Sequence, residues 1–185
     1  MLLTRRQLLA EFLGTALLVV AIIGSGIAAA RLSRGDLGLE LLESAMATGT
    51  ALVAIIFALG PVSGAHLNPV ITAVDRLRGG ISTRGAAGYW AAQIAGGTLG
   101  AVLANLMFNH PAVELSRHVR LGSDLWLAEG LATFGLILVV FGLAHSGRRA
   151  FAPIAVGAYI AGAYFFTAST SFANPAVTIA RMFSN

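Results

Sequence analysis

The sequence predicts an all-α membrane protein, built as an inverted repeat of spanning helices with two re-entrant half-helices. Three observations carry that expectation. Of 185 residues, 57% are hydrophobic and only 11% charged, whereas a soluble domain carries about a quarter charged residues. Several apolar runs reach the roughly 20 residues that cross a hydrocarbon core of ~30 Å. Finally, Asn-Pro is written twice, in "GAHLNPVITA" (64–73) and "SFANPAVTIA" (171–180), each time opening a helix-like run inside an oily chain.

Composition also excludes whole classes of chemistry. There is no Cys, hence no disulfide, thiolate nucleophile or Cys-ligated metal. The His residues (His66, His110, His118, His145) are scattered, and no nucleophile–base set or metal constellation appears. The chain therefore reads as a non-enzyme without a cofactor. All basic residues are Arg, placed at the ends of apolar runs. That spacing is the pattern of membrane topology, not of a nucleic-acid-binding face.

In chain order, the candidate spans are about 7–30, 41–60, 85–108, 125–145 and 151–168. The first follows Arg5 and Arg6 but is too long for a signal peptide. The second begins among Glu40 and Glu43. Small residues such as Gly96, Gly97 and Gly100, or Gly157, Ala161 and Gly162, let helices approach closely in lipid. With a cytoplasmic N-terminus, the inner segments hold Arg5, Arg6, Arg76, Arg78, Arg84, Arg148 and Arg149 against Asp75 alone. The outer loops hold Arg31, Arg34, Arg117 and Arg120, offset by Asp36, Glu40, Glu43, Glu114 and Asp124. The positive-inside rule favours this orientation, provided that the Asn-Pro segments do not cross.

"EFLGT" (11–15) and "EGLAT" (129–133) share the pattern Glu-x-Leu-small-Thr near the start of a span, and each is followed by a second span and an Asn-Pro segment. Three spans precede the fourth, so the second unit enters from the opposite side. Repeat 1 covers about 7–108 and repeat 2 about 125–185. Inverted repeats place a functional site at the midplane. A lone Glu there reads as interfacial; two in matched contexts read as braces. Intramembrane carboxylates are usually paired or hydrogen-bonded, so Glu11 and Glu129 are expected to accept N–H groups of the Asn-Pro loops.

Asn is a favoured helix cap, and Pro suits the first helical position, which needs no N–H. "NPVITAVDRLR" and "NPAVTIARMF" thus each begin a helix at their Asn, the first, Asn68 to Arg78, about three turns or ~15 Å long. Entering from opposite faces, two such halves meet mid-bilayer with their positive dipole ends together. Each Asn amide N–H is expected to point into a pore. A single Asn-Pro is an ordinary turn; two in phase with a repeat are not so easily explained. Non-helical backbone such as "SGAHL" at that depth must line water or be buried in protein.

These motifs, with "SGAHLNP", the two Glu and "FAPIAVG", resemble the major intrinsic protein family, the aquaporins and aquaglyceroporins, over essentially the whole chain. The resemblance implies one transmembrane channel domain over 1–185. Pore motifs would be Asn68, Pro69, Val70 and Asn174, Pro175, Ala176. Carbonyls of Gly64, Ala65 and His66, with those just before Asn174, would form an acceptor ladder. Val70 departs from the usual Ala. More consequentially, Val177 stands where the family usually places an Arg, and Arg181, one turn on, lies too deep by helical spacing to stand in for it. The alternative is that Val177 only packs and Arg181 swings outward. The other filter positions are Thr48, Tyr164 and Ser171.

A filter of Thr, Tyr, Ser and Val is wider and less cationic than that of a strict water channel. The resemblance thus implies passive conduction of small uncharged solutes: glycerol, urea, neutral metalloid hydroxides such as arsenous acid, and water. A Val at this position looks like a bacterial branch associated with arsenic detoxification. A water-selective channel and a gated or ion-leaky pore stay open as alternatives. The family implies a homotetramer in the plasma (inner) membrane with lipid as its surroundings and no nucleic-acid partner. Symmetry calls for a last spanning helix beyond the second half-helix, so the fold reads as aquaporin-like with that helix missing.

Overall fold

A computed structural model of the chain describes residues 4–118 and 121–184. Arg120, counted above among the outer-loop arginines, lies outside the described residues. Those residues form helices: α1 (Arg5–Leu32), α2 (Leu37–Ser63), α3 (Pro69–Leu77), α4 (Thr83–Met107), α5 (Ser123–His145), α6 (Ala152–Phe166) and α7 (Pro175–Ala180). A 3₁₀ turn leads into α6 and another, Arg181–Phe183, continues α7.

Local chemistry starts these helices where they start. Thr4 and Gln7 form a capping box before α1, satisfying two N–H groups that the first turn leaves free. The Asp36 carboxylate accepts from Leu39 N at 3.0 Å at the head of α2, and Ser82 Oγ accepts from Gly85 N at 3.1 Å at the head of α4. Asn68 and Asn174 cap α3 and α7, each followed by Pro in the first turn. α2 stops at Gly64, which takes φ 88°, a left-handed value that costs glycine little. Its end is prepared by Pro61 within the last turn.

Four stretches are long and apolar enough to cross a membrane by length and composition: Arg5–Leu32, Leu37–Ser63, Ser123–His145 and Arg149–Phe166. The candidate span at 85–108 forms a helix of matching length, α4, yet falls outside that set. Its apolarity is diluted by Gly, Thr, Gln and Asn, of which Gln93, Gly96, Gly97, Gly100 and Asn105 are buried. α4 faces protein rather than lipid over much of its surface, so composition alone undercounts it. α5 is the reverse case, exposing Trp126, Leu127, Leu131, Phe134 and Leu138, as suits an oily surrounding.

Two close crossings set the frame. α1 and α4 share the most extensive interface. A side chain at Gly96 would strike the Phe12 carbonyl, and one at Gly100 the Ala16 carbonyl. In the second crossing, α2 meets α6, joining the repeats. A Cβ on Gly49 would lie 2.8 Å from Ala161 Cβ and 2.9 Å from the Gly157 carbonyl oxygen. Where lipid supplies no hydrophobic drive between helices, such backbone contact is what holds them. Replacing Gly96 by Val should therefore separate α1 from α4. We expect a loss of more than about 3 kcal/mol, read as a drop in thermal unfolding temperature in detergent. The same change at Gly26, which has open space around it, should leave that temperature within about 2 °C.

Candidate functional site

The chain leaves helical geometry at 64–68 and again at 167–174, and at both places backbone groups must find partners inside the protein. Positive φ recurs in matched positions: Ala65 (46°) and Leu67 (50°) in the first loop, Ser171 (50°) and Ala173 (45°) in the second. Each pair stands three residues and one residue before its Asn. Non-glycine residues seldom take such values, so both loops carry the same strain and the same need for support.

Glu11 supplies that support in the first loop. Its side chain is fully buried. Oε1 accepts from Ser63 Oγ (2.6 Å) and His66 N (2.9 Å). Oε2 accepts from Leu67 N and Gln93 Nε2, both at 2.7 Å. Gln93 Nε2 also donates to Thr72 Oγ1 (3.0 Å), Tyr89 OH donates to Ser63 O (2.7 Å), and Trp90 Nε1 donates to Pro69 O (3.0 Å). In the second loop, Glu129 Oε1 accepts from Phe172 N (2.9 Å) and Oε2 from Ala173 N (2.7 Å). Glu129 is only half-buried and these are its two backbone donors. The two carboxylates thus hold equivalent loops with unequal shells.

The loops lock to each other through the two asparagines. Asn68 Nδ2 donates to Ala173 O at 2.7 Å, and Asn174 Nδ2 donates to Leu67 O at 2.8 Å. Each amide thereby reaches across to the carbonyl preceding the other Asn. Each Oδ1 meanwhile accepts from its own helix, from Val70 N at 2.9 Å and from Ala176 N at 3.0 Å. One N–H of each amide is therefore committed across the junction, which leaves a single N–H per Asn for any other partner. Likewise Ala173 O, counted from the sequence among the acceptor carbonyls before Asn174, already accepts from Asn68.

Both asparagines line a cavity of about 1010 Å³. Gly64, Ala65 and His66 lie on its wall, as do Thr48, Tyr164, Ser171 and Val177. Thr48 Oγ1 and the Tyr164 hydroxyl are 3.0 Å apart and hydrogen-bonded. Ser171 Oγ is buried and has no hydrogen-bond partner among the described residues. Val177 is 1% exposed. Arg181 is not on the cavity wall; its guanidinium lies 5.7 Å from the Phe172 ring centre. Apolar groups, including Leu18, Leu136, Val156 and Ile160, form much of the remaining wall. Arg78, His145 and Arg149 border the cavity where α3 and α5 end and α6 is about to begin, with Arg78 5.2 Å from the Phe141 ring centre.

Pro69 and Val70 are half-buried, Pro175 is exposed and Ala176 is fully buried. His66 Nδ1 lies 3.1 Å from Thr72 Oγ1, and its Nε2 lies 3.8 Å from Asp75 Oδ2. Sequence reasoning passed over Ser63, Thr72, Tyr89 and Gln93, which complete the Glu11 shell. Tyr89 and Gln93 carried a usable signal: polar groups four residues apart on one face of an otherwise apolar span are costly unless they have partners.

The family described as "Major intrinsic protein" matches residues 2–185. The chain is 49% identical over 180 residues to Aquaglyceroporin AqpS of Rhizobium meliloti (strain 1021), covering 97% of this chain and 76% of that protein. It is 35% identical over 162 residues to Probable aquaporin TIP-type alpha of Phaseolus vulgaris, 82% of this chain and 62% of the bean protein. It is 30% identical over 186 residues to Aquaporin TIP1-2 of Zea mays, 95% of this chain and 73% of the maize protein.

The unequal carboxylate shells generate a graded expectation. Glu11→Gln turns one oxygen into a donor facing donors, in a buried site. It should cost about 2–4 kcal/mol, whereas Glu129→Gln should cost about half as much. Thermal unfolding of the two variants in detergent measures the difference; equal losses would contradict unequal bracing.

Proposed function

The chain belongs to the major intrinsic protein family, and from that premise we propose that it forms a passive pore wide enough for small uncharged solutes larger than water. Channels of this family pass water and small neutral solutes and are not enzymes. The protein is accordingly a multi-pass membrane protein.

One observation carries the reading: fully buried Val177 shares the cavity wall with Thr48, Tyr164 and Ser171, while Arg181 lies off that wall against Phe172. Selectivity in such pores is a family mechanism of bore, lining hydrogen-bond groups and half-helix dipoles. Replacing a guanidinium by an isopropyl group removes both bulk and fixed charge at the narrowing. The Thr48–Tyr164 pair lines the cavity with hydroxyls, Ser171 adds a buried hydroxyl without a partner among the described residues, and Val177 lines it with an apolar surface. A small uncharged permeant that sets hydrogen-bonding groups beside carbon or a neutral centre suits this lining. Glycerol, urea and neutral metalloid hydroxides such as arsenous acid meet that description.

At the midplane, the remaining amide N–H of Asn68 and of Asn174 is the donor offered to a passing molecule. The Gly64, Ala65 and His66 carbonyls are acceptors leading to it. The N-terminal ends of α3 and α7 meet beside the asparagines, and their positive ends disfavour cations. We place the N-terminus in the cytoplasm, the protein in the plasma membrane and four copies in the assembly, one pore each.

Two measurements check this reading. Reconstituted in liposomes and followed by stopped-flow light scattering, the Val177→Arg channel should lose glycerol permeability about tenfold or more and keep water permeability within about threefold. Undiminished glycerol flux would remove Val177 from the filter. For orientation, the absence of native Cys allows single labels. Arg148→Cys in intact cells should resist a membrane-impermeant maleimide, and Arg34→Cys should react with it.

A further inference from the structure

We infer that Asn105, at the outer end of α4 and away from the cavity, is a positioning residue that fixes the Val177 wall of the pore. The inference rests on the reading of Val177 given above. Asn105 is 1% exposed. Its Nδ2 donates to Phe183 O at 2.9 Å and to Ala112 O at 3.3 Å, and its Oδ1 accepts from Ser184 Oγ at 2.7 Å. Its backbone carbonyl accepts from His110 N at 2.9 Å. One side chain thus joins three pieces: the end of α4, the loop after it, and the tail of α7.

The loop adds its own bonds to that tail. Glu114 N donates to Phe183 O at 3.2 Å, and Ser116 N donates to Met182 O at 3.0 Å. At the loop's root, Arg31 donates to Phe108 O at 2.7 Å from the end of α1. The arrangement resembles a short strand pairing laid across the outer end of the half-helix. Ties made through backbone groups carry no side-chain specificity of their own, so the side chain at 105 decides where the pairing sits.

Why this reaches Val177 follows from length. α7 has six residues, about 9 Å at 1.5 Å per residue, and runs straight into the 3₁₀ turn. So short a helix is not stable alone and takes its pose from what holds it: α4 along its flank, where Gly97 faces Ala176 and Ala180, and the ties at its two ends. The inner end is held by Asn174 and Glu129, and Asn105 holds the outer one. Val177 lies between the two anchors. A polar amide in the last turn of a span is costly to keep without partners, and the side-chain bonds of this one go to the loop after α4 and to the tail of α7.

The test uses the full chain in liposomes, reading the ratio of glycerol to water permeability together with amide hydrogen exchange at 182–184. With Asn105→Ala, the ratio should fall about threefold or more, because glycerol, larger and bearing three hydroxyls, depends more strongly on bore and alignment than water does. Ser184→Ala, which keeps both Nδ2 bonds, should move the ratio the same way by less. It also serves if the Asn105 variant fails to fold. Faster exchange at 182–184 with an unchanged ratio in the folded variants would overturn the proposal, since Asn105 would then only secure the fold. If the unmodified channel passes water but no glycerol, the solute reading fails separately. Water permeability per channel then decides: a change of about twofold or more in Asn105→Ala supports positioning, and an unchanged value overturns it.

Discussion

A peptide chain that abandons helical geometry in the middle of a bilayer finds no solvent there for its N–H and C=O groups. Every distinctive feature of this protein answers that constraint. The two Asn amides satisfy each other's preceding carbonyls, at 2.7 and 2.8 Å. Two carboxylates collect the loop N–H groups that point away from the junction. The capping oxygens absorb the first N–H of each half-helix, and Pro removes another. With these groups paired inside the protein, the remaining hydrogen-bonding capacity of the loops is available to whatever travels the cavity.

The cross-link also explains why the two loops carry strain. Reaching across requires the carbonyls of Leu67 and Ala173 to turn toward the opposite Asn, and both residues take positive φ there. Strained conformations persist where surroundings over-determine them. Here the over-determination comes from Glu11 with its shell of Ser63, Gln93, Thr72 and Tyr89, and more sparsely from Glu129. Stability at the first loop is thus concentrated in α1 and α4, the pair whose glycines permit closest approach. The frame and the site are one construction seen at two scales.

Much of this was legible in the residues. The all-helical class, the half-helices opening at Asn68 and Asn174, and the close approach at Gly96, Gly100 and Gly157 follow from apolarity, capping chemistry and small side chains. α4 shows where apolarity misleads: Gln93 and Asn105 lower its hydropathy because they face protein. The commitment of one N–H per Asn was not legible, because a donor's partner is set by the opposite loop, far away in sequence. The same holds for Asn105, whose partners lie at 112 and 183–184. Pairwise chemistry between distant segments leaves no local periodicity to read.

The matched left-handed positions have a consequence for how this chain can diversify. A branched β-carbon is disfavoured at such φ, and the four sites standing three residues and one residue before each Asn hold Ala, Leu, Ser and Ala. Gly64 (88°) and Thr170 (58°), each four residues before its Asn, form a third matched pair, in which Thr170 is the branched exception, its hydroxyl 2.6 Å from Ser169 O. Over its oily exterior the molecule can exchange Leu, Ile, Val and Phe with little penalty. At those four positions the permitted alphabet contracts to unbranched side chains, so drift in the sequence is steered outward to the annular lipid and away from the turns that shape the bore.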